Sequence, residues 1–215
     1  MTHTTSIRMV LDPLSLEAKE LEQVVSALVM GQLVVYPTDT IYGLGADPRQ
    51  EAAVERLFEA KGRPPEMAIP LIAADIEQAQ GCAGTFTPLA RRLAVKFWPG
   101  SLTLVIKAAP TLSRRLLADG DSVAVRVPSH PVARTLAQQL KHPLTATSAN
   151  RTGEKTPIKA SEIILMFGST VAFVLDTGPV EARAKASTIV DARGDVPVLL
   201  RDGSVAWSSV LRSLQ

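Results

Sequence analysis

The chain has 215 residues, 46% of them hydrophobic and 20% charged, an ordinary globular composition that is long enough for one sizeable domain. A single cysteine, Cys82, excludes a disulfide within the chain and a cysteine metal cluster, and only 4% aromatic content leaves the core to Leu, Val, Ile and Ala. The net charge of +2 conceals an asymmetry: residues 1–60 hold four Lys/Arg against nine Asp/Glu, and residues 61–215 hold nineteen against twelve. Fifteen of the 23 cations are Arg, the side chain better suited to bidentate carboxylate and phosphate contacts.

No apolar run near the N-terminus has signal-peptide length, and none elsewhere is long enough to span a bilayer, so the expectation is a cytoplasmic protein without membrane contact. Ile7–Leu11 reads as a strand, and Asp12-Pro13 as the start of a helix carrying Leu21, Val24, Val25, Leu28 and Val29 up to Gly31. Residues Gln32–Tyr36 form the next predicted strand. Asp47 is placed to cap a second helix with Ala53, Val54, Leu57 and Phe58 on its apolar face. Ile69–Ala73 is strand-like, and Thr87-Pro88 opens a helix running to Phe97. Strands follow at Ser101–Lys107 and Ser122–Val127, a helix at Ser129–Leu140, and a strand at Leu144–Thr147 that leads into the polar loop Ser148–Pro157. Further strands lie near Val171–Leu175, Thr188–Asp191 and Val198–Arg201, before a short C-terminal helix. This alternation predicts an α/β class, a single domain over residues 1–215, with one mixed, twisted sheet flanked by helices.

Common nucleotide and hydrolase signatures are missing. There is no Walker A pattern, and Gly43-Leu44-Gly45 lacks the third glycine of a dinucleotide fingerprint, so it reads as a tight turn. His3, His130 and His142 are scattered, and no metal ligand set is identified. Cys82 has no base nearby and reads as structural. Thr38, Asp39 and Thr40 lie just past a strand end, the edge of an α/β sheet where ligands bind, and can either contact a substrate or cap a turn. Lys61 and Arg63, in a loop stiffened by Pro64 and Pro65, read as exposed charges or as a phosphate clamp. In Val123-Ala124-Val125-Arg126-Val127 the valines share one face, so Arg126 projects from the other with Ala124 and needs water or an anion. Ser148 and Asn150 again follow a strand end.

Taken together, Tyr36-Pro37-Thr38-Asp39-Thr40-Ile41-Tyr42-Gly43-Leu44, Lys61-Gly62-Arg63-Pro64, Trp98-Pro99-Gly100-Ser101-Leu102-Thr103, Val123 to Pro128, Ser148-Ala149-Asn150 and Ser187-Thr188-Ile189-Val190-Asp191 resemble the YrdC/TsaC family, the L-threonylcarbamoyladenylate synthases. The resemblance runs from about Val34 to Arg201. It implies a YrdC-like fold with a deep basic cavity and a nucleotidyltransferase reaction: L-threonine, bicarbonate and ATP give L-threonylcarbamoyladenylate and pyrophosphate. The product would pass to a tRNA threonylcarbamoyl transferase complex, for N6-threonylcarbamoyladenosine in tRNA.

By the same resemblance Lys61 and Arg63 are the catalytic cations. Lys61, Arg63, Ser122, Ser148, Asn150 and Arg201 would bind ATP, which is a substrate accompanied by Mg2+ rather than a resident cofactor. Thr40, Arg126 and Ser187 would surround L-threonine. The loop Glu66–Ala74 departs from the long-form pattern, with two extra residues and no histidine, and the extra C-terminal domain of long-form members is expected to be absent. Two other readings stand beside this one. One is an RNA-binding module gripping an A-form backbone with its basic concavity; the other is a paralogue acting on a different amine.

Overall fold

A computed structural model describes residues 6–118, 120–180 and 185–215, and among them twelve strands form two mixed sheets. The first runs in the order β1 (Ile7–Val10), β10 (Phe173–Asp176), β2 (Val34–Tyr36), β3 (Gly43–Gly45) and β9 (Thr147–Ser148). Its first three strands are parallel, and β3 is antiparallel to both of its neighbours. The second follows β12 (Val198–Arg201), β11 (Thr188–Asp191), β6 (Leu102–Ala108), β7 (Ser122–Arg126), β4 (Leu71–Ile72) and β8 (Leu144–Thr145), with β5 (Ala83–Thr85) added against β6. In this sheet β11 is parallel to β6 and β4 to β7.

One expected sheet is thus two, and the reason lies at Ala146. The stretch 144–147, expected as one strand, splits there: Leu144 and Thr145 pair with β4, while Thr147 and Ser148 pair with β3. Thr145 fixes the crossing by accepting from the Ala46 amide at 2.7 Å, and the Ala146 amide donates to Pro70 O at 2.8 Å. Apolar side chains of both sheets still share one buried cluster, including Val35, Leu44 and Val174 from the first and Leu71, Leu104, Val125 and Val190 from the second. Two helices, α1 (Glu22–Val29) and α6 (Pro131–Leu140), cover a second cluster built on Tyr36, Ile72 and Leu175.

Gly43-Leu44-Gly45 is a strand rather than a tight turn. Tyr36 lies opposite Gly43, its ring covers the β3 backbone, and its hydroxyl donates to Thr145 O at 2.8 Å. A Cβ on Gly43 would stand 2.9 Å from the ring, and one on Gly45 would stand 2.7 Å from it. The glycines are there for this close approach. Overpacking of this kind costs about 1–3 kcal/mol. Gly45→Ala is therefore expected to lower the unfolding free energy by that amount, read as a lower urea midpoint at an unchanged slope, because a fully buried ring has to move.

Other local expectations also shift. Asp12-Pro13 makes a turn, with Asp12 accepting from the Leu14 amide, and helical structure begins only at Ala18. Asp47 is occupied by the Arg49 amide and guanidinium, so Gln50 is the N-cap of α2 (Glu51–Lys61). Lys61 ends that helix instead of sitting in the loop, and Gly62 reverses the chain with φ 57°. The helix α4 (Pro88–Phe97) begins at Thr87-Pro88 as expected, with Thr87 accepting from the Ala90 amide. Three short helices had no clear signal: α3 (Ile76–Gln80), α5 (Arg114–Leu117) and α7 (Ala160–Phe167). In α7 the run Ile163 to Phe167 is apolar at every position, which erases the helical period. No helix among the described residues is long and apolar enough to cross a membrane.

Candidate active site

Between the sheets lies a cavity of about 470 Å³, within the usual range for small-ligand sites. Tyr36 to Gly43 supply one wall, β6, β7 and the start of β11 another, and residues 67–72 and 146–148 the remainder. The chain leaving β2 is held by Thr38, whose hydroxyl donates to Ile41 O at 2.6 Å and accepts from the amides of Thr40 and Ile41. That turn places Asp39 and Thr40 against Arg126.

Arg126 is buried, and alternation along β7 turns it and Ala124 into the cavity while Val123, Val125 and Val127 enter the core. Its Nη1 donates to both Asp39 carboxylate oxygens at 3.2 Å, and Nη2 donates to Thr40 Oγ1 at 3.3 Å. Asp39 also accepts from Ser101 Oγ at 2.6 Å and from the Ser129 amide. Burial pushes the Arg126 pKa down, and the charge of Asp39 pulls against it.

Arg201 closes the opposite side. Its Nε and Nη2 donate to Ser187 O, and Nη2 also reaches Ser187 Oγ at 3.0 Å. Burial lowers the Arg201 pKa, and the nearby charge of Arg126 lowers it further. Arg63 is a third guanidinium on the lining, with its Nη2 donating to Ala68 O at 2.6 Å. Among the described residues, neither Arg63 nor Arg201 has an acidic partner.

Lys61 sits behind this wall at 2% exposure. Its ammonium donates to Ser148 O at 2.5 Å and Asn150 O at 2.6 Å, fastening α2 to the turn after β9. Burial, with Arg63 beside it, lowers its pKa to about 8. The reading of Lys61 as an exposed charge is corrected here: as the last residue of α2 it lies on the buried face that carries Val54, Leu57 and Phe58.

Of the residues singled out from sequence, Thr40, Arg63, Arg126, Ser148, Ser187 and Arg201 line the cavity together. Lys61 and Asn150 stand in the layer behind; the Asn150 side-chain amide donates to two backbone carbonyls, and its Oδ1 is buried with no partner among the described residues. Ser122 lies at the other end of β7 from Arg126, opposite Lys107, and is outside the lining. Sequence reasoning missed the Asp39–Arg126 pairing and the contribution of Tyr36, Thr103 and Ile189. Thr103 had a readable signal: it is the one hydroxyl in the apolar run Leu102–Ile106. The loop that lacks a histidine still reaches the cavity, through Met67, Ala68 and Pro70.

A roomier cleft of about 810 Å³ lies elsewhere, but it mixes Arg49 and Lys141 with Glu51, Asp75 and Glu77, so its charges largely cancel. The smaller cavity is the chemically distinctive one. Its described lining gathers three guanidiniums and no carboxylate; Asp39, outside the lining, is held against Arg126.

A family model, Sua5_yciO_yrdC, described as "Telomere recombination", matches residues 26–203. The threonylcarbamoyl-AMP synthase of Bacillus subtilis (strain 168) is 36% identical over 94% of this chain and 58% of its own length. A putative threonylcarbamoyl-AMP synthase of Mycobacterium tuberculosis (strain ATCC 25618 / H37Rv) is 40% identical over 88% of this chain and 87% of its own length. Among solved structures, Pyrococcus abyssi Sua5 complexed with L-threonine superposes with a TM-score of 0.91 at 33% identity, over 97% of this chain and 61% of that one. Escherichia coli YciO superposes with a TM-score of 0.84 at 28% identity, over 92% and 96%. The chain thus spans about three fifths of the Bacillus and Pyrococcus proteins and nearly all of YciO. With most of its length matched by the family model and by relatives well above 30% identity, the chain belongs to the Sua5/YciO/YrdC family.

Proposed function

We propose that this cavity makes L-threonylcarbamoyladenylate from L-threonine, bicarbonate and ATP, releasing pyrophosphate, as a nucleotidyltransferase in tRNA threonylcarbamoyladenosine formation in the cytoplasm. The observation that carries the reading is the gathering of three guanidiniums around one small cavity whose described lining holds no carboxylate, Asp39 being paired with Arg126 from outside it. Anions are the missing partners, and the proposed reactants are a carboxylate, a carbamate and a triphosphate. The names of the relatives, and the L-threonine bound to Sua5, support the same choice.

In this reading the threonine amine forms a carbamate, either from bicarbonate with loss of water or from carbon dioxide with loss of a proton from the amine. The carbamate oxygen attacks the α-phosphorus of ATP and pyrophosphate leaves. Mutual repulsion of the anions is the barrier to assembly, and fixed cations in a partly dry cavity lower it. Thr40, Arg126 and Ser187 hold threonine. Arg63, Ser148 and Arg201 meet the nucleotide, with Lys61 and Asn150 shaping the turn beneath it and Ser122 contacting it from further along β7. Catalysis comes from charge neutralisation and positioning, without a covalent enzyme intermediate. Mg2+ enters with ATP as part of the substrate, and the product goes on to the transferase that modifies tRNA.

The test is incorporation of radiolabelled bicarbonate, with threonine and ATP each omitted in turn. Label entering a product only when all three are present, with equimolar pyrophosphate, supports the reading. Pyrophosphate release indifferent to threonine defeats it, and serine outcompeting threonine assigns the site to a different amine.

A further inference from the structure

Thr103 lies on β6 between the fully buried Leu102 and Leu104, and its hydroxyl reaches the cavity wall. Its Oγ1 is 2.7 Å from Ser187 Oγ, in a hydrogen bond that either oxygen can donate. Ser187 Oγ also accepts from Arg201 Nη2 at 3.0 Å, and the same guanidinium grips the Ser187 carbonyl. A guanidinium only donates, so one Ser187 lone pair is already committed.

We infer that Thr103 is a positioning residue that donates to Ser187 and fills its second lone pair, which leaves Ser187 a donor only. The single Ser187 proton then faces the cavity, sharpened as a donor by the two bonds its oxygen accepts. A hydroxyl in that state takes a carboxylate or carbamate oxygen and rejects an ammonium. The inference rests on the proposed function, with the amino-acid carboxylate as the oxygen received. It adds a residue from β6 to a site otherwise built from strand ends.

The test measures calorimetric binding of L-threonine, of L-threoninol, which lacks the carboxylate, and of ATP to the wild-type protein, Thr103→Val and Thr103→Ser. Thr103→Val keeps the side-chain shape and removes the donor. Its preference for L-threonine over L-threoninol is expected to fall about tenfold, the value of one charge-assisted bond, while ATP affinity holds and Thr103→Ser retains the preference. An unchanged preference in Thr103→Val, or an equal loss for ATP, overturns the inference. If the wild-type protein binds no L-threonine, the proposed function fails instead. The inference is then decided by a crystal structure of Thr103→Val: a Ser187 hydroxyl rotated away from its present direction supports it, and an unmoved one overturns it. Should Thr103→Val fail to fold, Thr103→Ala faces the same comparisons.

Discussion

Replacing Arg126 by Gln is expected to reduce kcat/KM for L-threonine by at least about a hundredfold and to destabilise the protein by about 3 kcal/mol. Both effects follow from one geometry. Arg126 is 8% exposed at its side chain, and it spends Nη1 on Asp39 and Nη2 on Thr40. Breaking a buried pair from one side costs roughly 3–5 kcal/mol because a charge is left behind. Asp39 keeps Ser101 Oγ and the Ser129 amide, so the lower end of that range applies. Arg126→Lys separates the two consequences. It keeps the charge, but a single ammonium cannot reach Asp39, Thr40 and a substrate carboxylate at once. The expected result is a fold close to wild type in denaturant titration, with kcat/KM for L-threonine still down by about tenfold or more. Wild-type kinetics in Arg126→Gln would remove Arg126 from the amino-acid site.

Lys61→Met is expected to damage the fold and the reaction together. Ser148 O keeps its bond from the Asn150 amide, whereas Asn150 O loses the only donor it has among the described residues. One orphaned buried carbonyl costs about 1–3 kcal/mol, read as a drop in the denaturation midpoint. The turn carrying Ser148 loosens with it, so KM for ATP rises. The wild-type pH dependence carries a second signature. The Lys61 pKa of about 8 lies below the ordinary lysine value of 10.5, so between these limits the unfolded chain holds a proton that the folded one has released. Stability contributed by this group therefore rises with pH across that window and is lowest below it. Neutral amine still donates two hydrogen bonds, so the link to the Ser148 turn survives deprotonation. Nucleotide binding runs the other way, since the positive charge disappears: kcat/KM for ATP falls above about pH 8. Opposite trends in stability and activity, both absent from Lys61→Met, are the expected pattern.

Local patterns in the chain revealed some parts of this site and hid others. Arg126 was legible because strand alternation is a local rule: valines at every second position put the intervening guanidinium on the other face. The Thr38–Thr40 turn and Ser148 were marked by following strand ends. Lys61 was misplaced because it ends α2 on that helix's buried face, where it bonds carbonyls nearly ninety residues away. Gly43-Leu44-Gly45 looked like a turn because its need for glycine comes from the Tyr36 ring across the hairpin, which no local propensity encodes. Asp39 stood in plain view at the strand end, but its counter-ion is 87 residues on. The division into two sheets turns on a crossing at Ala146 that depends on Thr145 bonding Ala46, again a long-range contact. What sequence shows is which face a residue takes; which partner meets it there is settled by packing.

In the proposed function, Arg63, Arg126 and Arg201 gather the anionic reactants in the 470 Å³ cavity. A crystal structure with L-threonine and a non-hydrolysable ATP analogue tests this most directly. The threonine carboxylate is expected against Arg126 and Thr40, with the nucleotide phosphates reaching Arg63 and Arg201. Ligands seated instead in the 810 Å³ cleft beside Lys141 and His142, with the three guanidiniums untouched, would contradict it.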